Sequence, residues 1–171
     1  MKSICVYCGS GVGTNPLYQE AAFALGQKIA QEGHRLVYGG GTRGLMGAVS
    51  QGCHNEGGEV LGIIPEFLLQ KEGNTSDNII VPDMHTRKKM MFEESDMFIA
   101  LPGGIGTLEE LTEILTWAQL SRHKKRVILL NIAEFWNPLL ALLDHMREEG
   151  FIHTNSLVKP EIYSNINELN F

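Results

Sequence analysis

A chain of 171 residues, 43% hydrophobic and 20% charged, has the make-up of a globular protein large enough to bury a core of its own. A formal net charge of −6 argues against a nucleic-acid polymer or an anionic membrane as partner. No apolar run is long enough to span a bilayer, and an odd cysteine set (Cys5, Cys8, Cys53) argues against a disulfide framework and for a reducing cytoplasm.

An apolar run at Ser3 to Tyr7 reads as a first strand, with no targeting segment expected ahead of it. Gly9-Ser10-Gly11-Val12-Gly13 makes a flexible turn. Asn15 then offers an N-cap, with Pro16 at the first helical position, and helical periodicity carries on to Glu32. Gly33 stops that helix. Leu36 to Tyr38 reads as strand two, and a glycine turn at 39–47 opens a helix over Gly44 to Glu56. Val60 to Ile64 is strand three. The polar stretch Glu66 to Asp77 is a connection with room for one short helix, and Ile79 to Val81 is a short strand. Met84 to Glu94 reads as a helix, Asp96 to Ala100 as a strand, and Thr107 to Leu120 as a helix that follows the glycine turn Pro102-Gly103-Gly104-Ile105-Gly106. Val127 to Leu130 is a strand, Pro138 to Glu149 a helix closed by Gly150, and Leu157 to Tyr163 a last short strand.

Strands and helices alternate throughout, with no repeat and no linker. That pattern predicts one α/β domain over residues 1–171, a Rossmann-like open parallel sheet flanked by helices on both faces. Ligands of such sheets bind beyond the carboxyl ends of the strands. All three glycine turns follow strands, so they are expected to gather at one edge.

The third turn carries the chemistry. Its glycines let a ligand approach the backbone, and the helix start that follows offers unpaired N–H groups to phosphate. Glu109 and Glu110, read as lying in the first helical turn, suit a favourable helix-dipole position one at a time. A turn already built for an anion does not need both, so one carboxylate is expected to face the cleft and its neighbour, about 100° around the helix, to face elsewhere. Arg87 and Lys88 sit at another helix start, where cations oppose the dipole, which suggests an anionic partner over a merely solvated face. Gly39, Gly41 and Gly44 fit the spacing G-x-G-x-x-G. The fingerprint belongs after a first strand, however, and the candidate acidic partner Glu59 begins its strand, so a tight turn is the preferred reading over nicotinamide binding. Cys5-Val6-Tyr7-Cys8 has CxxC spacing but runs along a strand, which favours packing. His34, His54, His123, His145 and His153 show no ligand spacing, while His85 lies near the site. The apolar positions Leu115, Trp117, Ala118 and Leu120 face either the interior or a partner subunit.

Taken together, Pro102 to Glu110 (P-G-G-x-G-T-x-x-E), Arg87-Lys88, Gly39 to Gly41 with Gly44-Leu45-Met46-Gly47, and Cys8-Gly9-Ser10 resemble the LOG family of cytokinin riboside 5′-monophosphate phosphoribohydrolases, long labelled lysine decarboxylases. The resemblance runs from Ile4 to about Leu143, and it departs at Gly11-Val12, where many relatives carry a second serine. It implies hydrolysis of the N-glycosidic bond of an adenosine-type 5′-monophosphate, N6-modified in the cytokinin-activating reaction, to free base and ribose 5-phosphate by a cytoplasmic homodimer. Arg87 and Glu110 are the catalytic residues it implies. Around the substrate it places Ser10, Gly41, Met84, Lys88, Gly103, Gly104, Ile105, Gly106, Thr107, Leu108 and Glu109. No metal or redox cofactor is required. Alternatives are an AMP nucleosidase of nucleotide salvage and a non-catalytic nucleotide carrier or sensor on the same scaffold. A pyridoxal-phosphate decarboxylase would need a Schiff-base lysine with an acidic partner, and no such pairing is readable.

Overall fold

The computed structural model describes residues 1–152 and 159–171. Seven strands form one sheet: β1 (Ser3–Tyr7), β2 (Arg35–Tyr38), β3 (Glu59–Pro65), β4 (Asn78–Val81), β5 (Met97–Ala100), β6 (Val127–Leu130) and β7 (Glu161–Tyr163). Every pairing is parallel, in the order β4-β3-β2-β1-β5-β6-β7. The helices are α1 (Pro16–Gln31), α2 (Gly44–Asn55), α3 (Leu69–Glu72), α4 (Met84–Glu93), α5 (Ile105–Gln119) and α6 (Asn137–Glu148).

The centre of the sheet is apolar on both faces, as a doubly covered parallel sheet requires. Along β1, Ile4 and Val6 join one layer with Leu25 and Ile29 of α1 and Val49 of α2. Cys5 and Tyr7 alternate to the other face, where Leu111 and Ile114 of α5, Met91 of α4 and Leu143 of α6 pack. Burying a side chain of this kind contributes about 1.5–3 kcal/mol. The order of the chain reverses between β1 and β5. One run of crossovers leads outward from β1 to β4, and the other leads from β5 to β7. Both central strands end in glycine turns, and the backbone joins those turns directly: Gly9 N–H donates to Pro102 O at 3.1 Å.

Several boundaries differ from the expected ones. The connection after β3 holds a 3-10 turn at Glu66–Leu68 as well as α3. A further 3-10 turn at Ile132–Glu134, with Ala133 and Glu134 at positive φ, had no signal in the sequence. The last strand is only Glu161–Tyr163; residues 157 and 158, and His153, lie outside the described residues. The helix expected from Thr107 starts at Ile105, because Gly104 is extended (φ −96°, ψ −154°) and takes the N-cap position. Glu109 and Glu110 are therefore the fifth and sixth helical residues, and the first turn carries no acid. The favourable dipole position does not explain them, since that effect fades beyond the first turn. Among the described residues, no helix is long and apolar enough to cross a membrane.

Candidate active site

A cleft of about 270 Å³ opens at the carboxyl ends of β1 and β5, where the strand order reverses. Its walls are the first glycine turn (Gly9, Ser10), Gly39 after β2, Met46 of α2, Leu68 and Glu72 beside and on α3, Met84, Arg87 and Met91 of α4, and Gly104, Ile105, Gly106, Thr107 and Glu110 of α5 and its cap. Val6 and Cys8 form the floor.

Each loop is held by its neighbours. Gly44, at φ +60°, lies so close to Ser10 O that a Cβ would overlap it, and Leu45 N–H donates to Gly9 O at 3.0 Å. Thr42 donates twice to Glu72 O, from its backbone N–H (2.8 Å) and from its hydroxyl (3.0 Å). Gly39, Gly41 and Gly44 thus pack the second turn against its neighbours. Glu59, the residue that would have completed a dinucleotide fingerprint, pairs with Arg35 at the far end of the strands.

Arg87 is the central cation. Its guanidinium is buried, and Nη2 donates to Gly39 O at 3.2 Å while standing 3.8 Å from Glu110 Oε1. A Cβ on Gly39 would occupy that guanidinium's place. The Arg87 Nε–H has no acceptor, and the buried Oε2 of Glu72, another residue lining the cleft, has no donor. Unsatisfied buried polar atoms are costly; these two belong to residues lining the cleft, while those of Tyr38, Thr75, Asn78 and Trp136 lie outside its lining. Glu110 is 8% exposed, and burial pushes its carboxyl up from 4.5 to about 7; Arg87 opposes the rise, Glu109 and Glu72 add to it, and Lys88 opposes it. At neutral pH this acid is poised between its two forms.

The amino end of α5 faces the same space. Leu108 N–H makes the first bond of the helix, to Gly104 O, which leaves the N–H groups of Ile105, Gly106 and Thr107 as the helix's unpaired donors. Such an end suits a phosphate. Cys8 is buried, and burial, with Glu110 nearby, pushes its thiol well above the ordinary value, so it is a protonated apolar neighbour and no nucleophile. Among the described residues no three His, Cys, Asp or Glu side chains gather as metal ligands.

Of the residues singled out from the sequence, Ser10, Met84, Arg87, Gly104, Ile105, Gly106, Thr107 and Glu110 line this cleft. Gly41, Lys88, Gly103, Leu108 and Glu109 do not. Gly41 lies behind Met46, and Gly103 backs onto Thr107. Glu109 turns away, half exposed, to Lys88, whose anionic partners are thus within the chain. His85 is exposed outside the cleft, and buried His123 is satisfied by Ile114 O at 2.8 Å and Lys125 N–H at 3.1 Å. Leu115 and Ala118 pack inward, while Leu120 is exposed. Glu72 and Leu68 carry no signal in the sequence, while Gly39, Met46 and Cys8 are legible there only as parts of the glycine-turn motifs. Glu72 sits in a stretch without periodicity, and only its place seven residues after a strand's closing proline could have drawn attention to it.

A family model described as "Possible lysine decarboxylase" matches residues 46–169. The cytokinin riboside 5′-monophosphate phosphoribohydrolase LOG7 of Arabidopsis thaliana is 53% identical over 154 residues, which cover 88% of this chain and 71% of that protein. The chain belongs to the LOG family. The probable cytokinin riboside 5′-monophosphate phosphoribohydrolase LOGL2 of Oryza sativa subsp. japonica is 50% identical over 158 residues, 91% of this chain and 65% of that protein, so the chain spans just under two thirds of it. Among solved structures, a molybdenum cofactor binding protein from the phototrophic bacterium Rippkaea orientalis superposes with a TM-score of 0.68 at 29% identity, covering 96% of this chain and 91% of that one. The molybdenum cofactor carrier protein of Chlamydomonas reinhardtii shares the fold (TM-score 0.69, 20% identity).

Proposed function

We propose that this LOG-family protein hydrolyses the N-glycosidic bond of an N6-modified adenosine 5′-monophosphate, the cytokinin-activating reaction. Water adds across the bond: the base leaves with a proton, and the hydroxyl ends on C1′ of ribose 5-phosphate. One observation carries the reading. A buried carboxylate, Glu110, and a buried guanidinium, Arg87, face the cleft onto which α5 presents its unpaired N–H groups.

The phosphate lies on the N–H groups of Gly106 and Thr107, with the Thr107 and Ser10 hydroxyls beside it. The ribose then falls between α5 and α4. Breaking the bond leaves an oxocarbenium-like sugar, and ionised Glu110 stabilises that charge in a site where a preorganised group of this kind is worth about a hundredfold or more in rate. Arg87, anchored on Gly39 O, keeps its Nε–H for a substrate oxygen and favours the ionised form of Glu110. Glu72, which lines the cleft with a free buried oxygen, accepts from a sugar hydroxyl. Met46, Leu68 and Met84 supply the apolar surface against which the base stacks. No metal or redox cofactor takes part in this scheme. Within it the protein is a cytoplasmic homodimer, for which exposed Leu120 and Phe151 offer apolar surface.

The test is incubation with N6-isopentenyl-AMP and with AMP, followed by chromatography for free base. Release of base from the modified nucleotide supports the reading; faster release from AMP favours an AMP nucleosidase of salvage. A carrier is the second reading, favoured by the likeness to cofactor-binding proteins. Tight nucleotide binding with neither base nor ribose 5-phosphate released would establish it.

A further inference from the structure

Lys88 follows Arg87 on α4, yet its side chain leaves the cleft. It is 9% exposed, and Nζ donates to Glu113 Oε2 at 2.9 Å and to Glu109 Oε1, both on α5. Burial alone would lower the ammonium's pKa; hydrogen bonds to Glu109 and Glu113 outweigh it and hold Lys88 above the ordinary lysine value, firmly charged. Two adjacent cations of α4 thus meet acids of α5 that are adjacent in the same way: Lys88 with Glu109, and Arg87 with Glu110. Glu109 and Glu113, four residues apart, share one face of α5 and grip Lys88 together. The two meetings differ in kind. Lys88 is closed on both partners, whereas Arg87 and Glu110 stand 3.8 Å apart, beyond hydrogen-bond length.

We propose that Lys88 is a positioning residue: its two ion pairs tie α4 to α5 and so set the open spacing between Arg87 and Glu110, with no contact to the substrate's phosphate. An open pair of this sort cannot hold its own geometry, since no bond between its members fixes it. The closed pairs one residue away on each helix supply that restraint. A displacement of even 1 Å at a reacting centre can cost about a hundredfold in rate.

The reading rests on the proposed nucleotide hydrolysis, and its test separates the two. Lys88→Met, Glu113→Gln, the double variant and Lys88→Arg are compared for kcat and KM on the accepted nucleotide and for inhibition by inorganic phosphate. Lys88→Met is expected to lower kcat about tenfold or more while KM and phosphate inhibition change less than about threefold. Glu113→Gln falls less, the double variant is no worse than Lys88→Met, and Lys88→Arg keeps most of the activity. Should Lys88→Met not fold, Glu109→Gln/Glu113→Gln, which keeps the lysine, is expected to show the same loss of kcat. A rise in KM and weakened phosphate inhibition of about tenfold with kcat retained, or additive effects in the double variant, would overturn the proposal. If the wild type cleaves neither nucleotide, hydrolysis fails, but the clamp is still decided by Tm values and calorimetric titration with AMP. Non-additive losses of Tm with unchanged AMP affinity support it, and additive losses or a collapse of AMP affinity in Lys88→Met refute it.

Discussion

Arg126 and Glu161 meet at the β6–β7 edge of the sheet, and Arg87 and Glu110 meet in the cleft; the same two residue types behave differently in the two places. At the edge the guanidinium is bidentate, with Nε and Nη2 donating to the two carboxylate oxygens at 2.8 Å each. That bonding holds Glu161 below its ordinary value and Arg126 above it, and both side chains remain about two fifths exposed. In the cleft the nearest approach is 3.8 Å, both groups are buried, and the carboxyl is driven up to about 7. The edge pair is complete and joins two strands. The cleft pair is incomplete, with an unused Nε–H, so its geometry costs stability and leaves capacity for a ligand.

The widest separation between the pairs should appear in turnover. Glu110→Ala is expected to lower kcat about a hundredfold or more while AMP still binds, and Glu161→Gln to leave kcat unchanged; steady-state kinetics on both variants reads the contrast. Next comes Gly39→Ala, whose methyl group displaces the Arg87 guanidinium. It should cost about tenfold or more in kcat with the circular dichroism spectrum retained.

The pH dependence sharpens the comparison further. Glu110 ionises near 4.5 in an unfolded chain and about 7 in the fold, so between those values the folded protein holds a proton that the unfolded chain has lost. Its contribution to stability is therefore fully present below about pH 4.5 and is lost as the pH rises through about 7. Glu110→Gln, which never ionises, should melt higher than wild type at pH 8, with the advantage vanishing near pH 4, while turnover of the wild type climbs with an acid limb near 7 as the carboxylate forms. Glu161 has the opposite sign: it is depressed, so its contribution is present above its unfolded value and is lost as the pH falls through the lower folded one. The smallest effect belongs to Arg126→Ala, a partly exposed pair worth about 0.2–1 kcal/mol, read as a shift in denaturation midpoint that shrinks with added salt.

What could be read from the chain follows the same division. Strands such as Val127 to Leu130, apolar on both faces, identify themselves, and parallel alternation brings their glycine turns to one edge. Arg87 stands out because a cation at a helix start opposes the dipole, and Glu110 because a turn already built for an anion does not need two carboxylates beside it. The sequence places the start of α5 two residues late because Ile105-Gly106 looks like turn; only the extended Gly104 shows that the helix has already begun. In the sequence Lys88 points to an external anion, because pairing between helices leaves no spacing signature, unlike pairs within one helix. Glu72 stayed hidden because its segment is anchored by Thr42, thirty residues earlier, and not by any pattern of its own.

The most direct measurement is a crystal structure of Glu110→Gln with AMP. The phosphate is expected on the N–H groups of Gly106 and Thr107, with C1′ of the ribose within about 4 Å of the residue-110 side chain and Arg87 Nε bonded to the nucleotide. A phosphate bound away from α5, with residue 110 and Arg87 touching neither sugar nor phosphate, would contradict it.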